Sequence, residues 1–258
     1  MDRREPTPYI SLPAEGHRGV DEHSVALIIE PTSWSAVLDA LAELEASTAS
    51  DERLLLTLDN LPQCLYTSGH ARNRHDLDGD VEYPDDDSPA ALYSYETAVI
   101  RTALDALNDP ERAEPWESLA VDSIDSAVVD ALAVLNRQPE RLFETTHVVQ
   151  RAQVPTPADL LASIPNGYFE GDWSPFASHT VARRMHDEHG YALIGVGAST
   201  LAFQRTAAAS PDPSALIADV QHLYGAADSP AWDEVRDAVT DSPILVLGYA
   251  EDFVELAD

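Results

Sequence analysis

Two short apolar runs, VALIIE at 25–30 and RLLLTLDN at 53–60, bracket a segment whose apolar residues recur at helical spacing. Ser33 stands where an N-cap is wanted, and Val37, Leu38, Leu41 and Leu44 fall on one helical face. The flanking runs are short, rich in Val, Ile and Leu, and stopped by Pro31 and Asn60, so they read as strands. A strand, a helix and a second strand in that order make a β-α-β unit. Such a unit favours a parallel pair of strands. The expected fold class is therefore α/β or α+β, a mixed sheet with flanking helices.

The rest of the chain agrees with a layered architecture. Residues 91–108 and 116–136 carry apolar residues at helical spacing, with a break in the second expected near Ser123. A further strand is expected at 146–153, and a helix at 174–189 that Gly190 stops. YALIGV (191–196) and STLAFQ (199–204) read as a hairpin, followed by helices at 213–224 and 229–240. PILVLGYA and DFVELAD, at the end of the chain, read as closing strands. Residues 1–22, with three prolines and two glycines, read as an irregular arm. The organisation expected is an α/β half over 23–140 and an α+β half with a hairpin-helix region over 141–258, or one continuous domain. Within the first half, 61–89 reads as a long polar connection, because Pro62, Gly69, Gly79, Pro84 and Pro89 punctuate it.

Charge then bounds the solvent and the partners. The chain has 46 acidic residues against 15 basic ones, all of them arginine, for a formal charge of −31 over 258 residues. In dilute buffer so much charge opposes compaction; in molar salt the Debye length falls to about 3 Å and the repulsion is screened. Spread along the chain rather than gathered in one run, the acid reads as adaptation to a salt-rich cytosol, as in halophilic proteins. A GC-rich genome would favour arginine without demanding the acid. A nucleic-acid mimic or an inhibitor of a basic nuclease would carry a similar excess. Disorder fits poorly with a chain that is 44% hydrophobic and clearly periodic. The charge argues against direct nucleic-acid binding, which needs cations to displace counterions. The single cysteine, Cys64, excludes an internal disulfide and a cysteine zinc cage. The opening residues lack a signal-peptide core and no apolar run is long enough for a membrane span, so the expected location is cytoplasmic.

Several constellations have the residue types of a site. Asp76, Asp78, Asp80 and Asp87 occupy positions 1, 3, 5 and 12 of an EF-hand-type calcium loop. Val81 stands where that loop needs glycine, and Asp87 where it needs glutamate, so a solvated loop is the favoured reading. His179, His186 and His189 could converge on zinc: at about 100° per residue the first two lie about 20° apart and the third about 60° further round. The spacing is not the i, i+4 pair of H-E-x-x-H, and the fourth ligand would have to be His222 or Asp172. GVGAST (195–200) has the glycines of a phosphate turn, but a strand rather than a helix follows it. Cys64 and His70 could be a nucleophile and base. Asp59 ends a predicted strand at the edge where open α/β sheets place their sites, although Asp-Asn is also ordinary turn chemistry.

The functional expectation is a soluble, non-enzymatic protein that acts through a protein partner or self-association, with no cofactor. Its rivals are an acidic inhibitor or nucleic-acid mimic that occupies a basic partner, and a metal-dependent hydrolase using His179, His186 and His189 with an acid such as Asp59, zinc or calcium being the metals these residue types suit.

Overall fold

The computed structural model describes residues 9–13, 19–121, 126–207, 212–225 and 229–258. Among these, seven strands join in one mixed sheet. The β-α-β unit forms as β2 (Ser24–Ile29), α1 (Trp34–Glu45) and β3 (Glu52–Thr57). Ser33 caps α1, its side chain accepting from the Ala36 amide, and Trp34, Val37 and Leu41 turn inward. β2 and β3 run parallel but are not neighbours. β4 (Thr146–Gln153) lies between them, antiparallel to both, with Leu27 opposite Val148 and Leu55 opposite Gln150. The sheet thus crosses from the first half of the chain into the second. β1 (Tyr9–Ser11), inside the segment read as an irregular arm, adds to the free edge of β2.

The other edge of β3 carries the parallel pair. β5 (Tyr191–Val196) aligns with it, Leu56 opposite Gly195, and then forms the expected hairpin with β6 (Thr200–Arg205). β7 (Ile244–Gly248) closes the sheet against β6. Leu54, Leu55, Leu56 and Thr57 are all buried, as are Val148, Val149 and Gln150. Consecutive burial of this kind means that both sheet faces are covered at the centre, which is why these strands show no polar alternation. Leu55, Phe203, Leu132 and Tyr191 belong to one continuous apolar core.

Three segments depart from the sequence reading. Residues 61–74, read as the start of a polar connection, form α2 (Leu61–Arg74). Pro62 sits in its first turn, where no intrahelical amide is needed, and Asn60 caps it from a left-handed conformation at φ 46°. The inward face of α2 is Cys64, Thr67, Ser68 and Ala71, at helical spacing but made of small and polar residues. A hydropathy pattern cannot register such a face. Next, Pro155-Thr156 after β4, which as a common helix entry reads as leading into a helix, leads only to a short 3-10 turn over Ala158–Ala162. Finally, 251–257 is a 3-10 helix and not a strand. A Cβ at Gly248 would fall 2.1 Å from the Phe253 ring, so the chain folds back and lays that ring on the end of β7.

The remaining helices are α3 (Pro89–Leu107), α4 (Ser126–Arg137), α5 (Pro175–His189), α6 (Pro213–Tyr224) and α7 (Ala231–Asp241). The break expected near Ser123 lies outside the described residues. Gly190 ends α5 in the left-handed region, φ 68°, as its position after the periodic run leads one to expect. No helix among the described residues is long and apolar enough to cross a membrane.

Candidate functional site

Parallel β3 and β5 deliver their carboxyl ends to the same edge of the sheet, and Asp59 emerges there. Its carboxylate accepts from the Ser199 amide and the Ser199 hydroxyl, both at 3.0 Å, and from the Thr200 hydroxyl. Its backbone oxygen accepts from the Ala198 amide at 3.0 Å. The GVGAST turn therefore wraps Asp59. Gly197 is required by this closeness, because a Cβ there would lie 1.8 Å from the carboxylate. The glycines serve a carboxylate of the chain itself. Burial raises the Asp59 carboxyl, against the opposing pull of the Thr200 and Ser199 hydrogen bonds.

Beside it, Asn166 ties three elements together. Its amide nitrogen donates to Cys64 Sγ at 3.1 Å and to the Gly197 carbonyl at 3.0 Å, and its oxygen accepts from the Thr67 hydroxyl. The Tyr249 hydroxyl donates to the Gly197 carbonyl at 2.8 Å. Burial pushes the Cys64 thiol up to about 12; the Asn166 bond lowers it, and the Asp59 charge raises it again. A thiol held so high is protonated at neutral pH and is not a nucleophile. The pairing of Cys64 with His70 does not form. The imidazole instead packs on Tyr66 at 4.4 Å and on Tyr168 at 4.9 Å between ring centres.

Tyr66 and His70, one turn apart on α2, continue through Tyr168 to Phe169 as a chain of ring contacts. Tyr66 is 59% exposed and Phe169 52%. A cleft of about 240 Å³ adjoins Phe169 and is edged by Asp172, Glu251 and Asp252. Burial raises the Asp172 carboxyl, and the charges of Asp252 and Glu251 add to the rise. Crowded like charges beside exposed aromatic faces suit a cation that stacks as well as pairs. Tyr66 with His70 at i, i+4 is the one sequence signal for this surface, and it is legible only once 61–74 is read as a helix.

The three histidines of α5 do not meet. His179 is buried and its Nε2 bonds Asp159 at 3.0 Å. His189 bonds Asp219 at 2.7 Å, and the same carboxylate takes Arg184 at 2.7 Å. His186 lies outward beside Asp187 at 2.9 Å. Burial works to raise both Asp159 and Asp219, but hydrogen bonds outweigh it: His179, Asn108 and Thr156 at the first, Arg184 and His189 at the second, so both carboxyls sit below the usual range. Of the other candidate ligands, His222 bonds the Trp116 carbonyl at 2.9 Å, and Asp172 accepts from the Phe169 amide at 3.0 Å. His179, His189 and His222 are thus held by partners on other elements, and His186 by its neighbour Asp187.

The aspartates of the acidic loop diverge as well. Asp78 turns inward to Arg72 at 3.2 Å, while Asp76 and Asp80 face solvent and Asp87 accepts from the Tyr83 hydroxyl at 3.3 Å. Leu77, fully buried between Asp76 and Asp78, sets this divergence by anchoring the chain. Among the described residues no group of three or more His, Cys, Asp and Glu side chains is placed to hold a metal ion. No known protein family, curated protein or solved structure matches the chain.

Proposed function

We propose that this chain is a salt-adapted, non-catalytic intracellular protein that holds a basic partner protein against the surface formed by Tyr66, His70, Tyr168 and Phe169 and the carboxylates beside them. The observation that carries this reading is the exposed aromatic chain next to Asp172, Glu251 and Asp252. Arginine stacks on aromatic faces and pairs with carboxylates, so an arginine-rich segment fits both halves of the surface. The buried cluster of Asp59, Cys64 and Asn166 stiffens the elements that carry this surface: it fastens α2 to the 195–200 turn by hydrogen bonds within the fold.

A peptide alternating arginine and glycine tests this. Attraction to net charge alone fades as salt rises, whereas stacking persists. In molar KCl the protein should bind the peptide saturably. The Tyr66→Ala/Phe169→Ala double variant should bind it about tenfold less well, from two ring contacts of about 0.5–1 kcal/mol each. Equal affinity in the two proteins, vanishing together as salt is added, overturns the reading.

A further inference from the structure

A second cleft, of about 240 Å³, opens between α2 and α3, over β4. Its lining includes Gln150 and Ser163, only 2% and 9% exposed, and neither the Gln150 Oε1 nor the Ser163 Oγ has a hydrogen-bond partner. Buried polar atoms are nearly always paired, so two in one cleft ask for an explanation. The Gln150 amide cannot be turned to relieve this. Its nitrogen donates to the Asp21 carboxylate, which can only accept, and that fixes Oε1 as the atom left over.

The one arginine among the described residues of the cleft is already engaged. Arg72 donates through Nη1 to Asp78 at 3.2 Å and through Nη2 to the Ala162 and Ser163 carbonyls, both at 2.8 Å. The acceptors are in surplus: beside Gln150 and Ser163 stand Asp21 and Glu96, the latter with Oε2 accepting from the Glu22 amide at 2.8 Å. Burial, with the charges of Asp21 and Glu22 close by, raises the Glu96 carboxyl to about 7, despite that amide bond. Arg72, Asp78 and Tyr95 are the other titratable groups of the lining. An anion would meet a spent arginine and the carboxylates of Asp21, Asp78 and Glu96. A cation with several N–H donors would meet what the cleft lacks, and Val99, Ile100 and Ile164 offer apolar wall to a short hydrocarbon chain.

Gly69 gives the opening. It lines the cleft from the middle of α2, and a Cβ there would meet nothing within 4 Å. A glycine inside a helix weakens it relative to alanine, and here no neighbour in the fold demands it.

We propose that the α2–α3 cleft is a binding site for a small aliphatic amine cation, which donates to Gln150 Oε1 and Ser163 Oγ and is neutralised by Asp21 and Glu96. The site is separate from the aromatic surface and does not depend on it.

Putrescine is the probe, with succinate as the anionic control, both titrated calorimetrically in molar KCl so that loose attraction to the acidic surface is screened. The expected result is one saturable putrescine site and no succinate binding. Gln150→Leu, which removes the orphan acceptor, and Gly69→Leu, which fills the open space, should each weaken putrescine at least tenfold. Because a Cβ at Gly69 meets nothing within 4 Å and glycine inside a helix is unfavourable, the thermal midpoint and circular dichroism of Gly69→Leu should stay near those of the parent, which separates a blocked cleft from an unfolded one. The proposal is overturned if putrescine fails to saturate, if Gly69→Leu binds it as well as the parent does, or if succinate binds more tightly. It is also overturned if the amine does not bind and a crystal structure finds only ordered water on Gln150 and Ser163.

Discussion

Glu96 binds its proton more tightly in the fold than a free glutamate does, and the consequence can be read as a function of pH. Its ordinary value is 4.5, and in the fold it rises to about 7. The folded state therefore binds the proton more tightly than the unfolded chain does. The stabilisation on this account is complete below about pH 4.5, declines as pH rises, and is gone above about pH 7. Glu96→Gln removes the charge and should leave the protein more stable than its parent at pH 8, with parity near pH 4. The gain should be less than about 1 kcal/mol, since the group is partly exposed and screened by solvent. Urea unfolding of both proteins at the two pH values in molar KCl checks this; a variant less stable at pH 8 contradicts it. Asp59 belongs to the same scale with a different lesson. Its place at the end of a strand was legible in the sequence, but its partners, Ser199 and Thr200, are far along the chain, and only the β3–β5 pairing brings them together.

α2 is the element that sequence patterning missed, and its start is the place to test why it forms. Asn60 supplies two things at once: a side-chain oxygen that accepts from the Gln63 amide at 3.2 Å, and a left-handed backbone that few residues adopt without strain. Asn60→Ala loses both and should cost about 1–3 kcal/mol. Asn60→Gly loses only the cap, relieves the backbone, and should cost a few tenths of a kcal/mol. Chemical denaturation of the two variants side by side checks this, and equal costs would mean that the backbone conformation carries no strain. The α5 histidines teach the converse lesson about elements. Their angular placement on a helix follows from spacing alone, yet Asp159 and Asp219, which hold two of them, come from other segments. A helical wheel has no means of showing such partners.

At the scale of the molecule, the acid far outnumbers what the arginines can pair. Arg72, Arg137, Arg151, Arg184 and Arg236 each meet a carboxylate, against 46 acidic residues in the chain. The proposed salt adaptation then makes a direct prediction. From about 50 mM to about 2 M KCl, screening shortens the reach of each charge from more than 10 Å to about 3 Å or less. The thermal midpoint should rise by roughly 10 °C or more, as a gain of several kcal/mol implies for a chain of this size. A midpoint that stays flat across the series would remove the salt reading and leave the acid as a surface built for a basic partner alone.

The sequence by itself determined the kinds of element and the alternation of strand and helix, because hydrophobic period and local breakers act over a few neighbouring residues. It was enough for the β-α-β unit, the 191–205 hairpin, the Ser33 cap and the Gly190 stop. The tertiary structure alone decided that β4 separates β2 from β3, that small polar residues make the inward face of α2, and that Phe253 turns the end of the chain back over Gly248. It alone decided, too, which carboxylates His179 and His189 meet and which acceptors in the α2–α3 cleft are left without a donor. Those outcomes depend on pairings between residues far apart in sequence. Their partners are chosen by burial and packing over the whole core, and no local pattern encodes them.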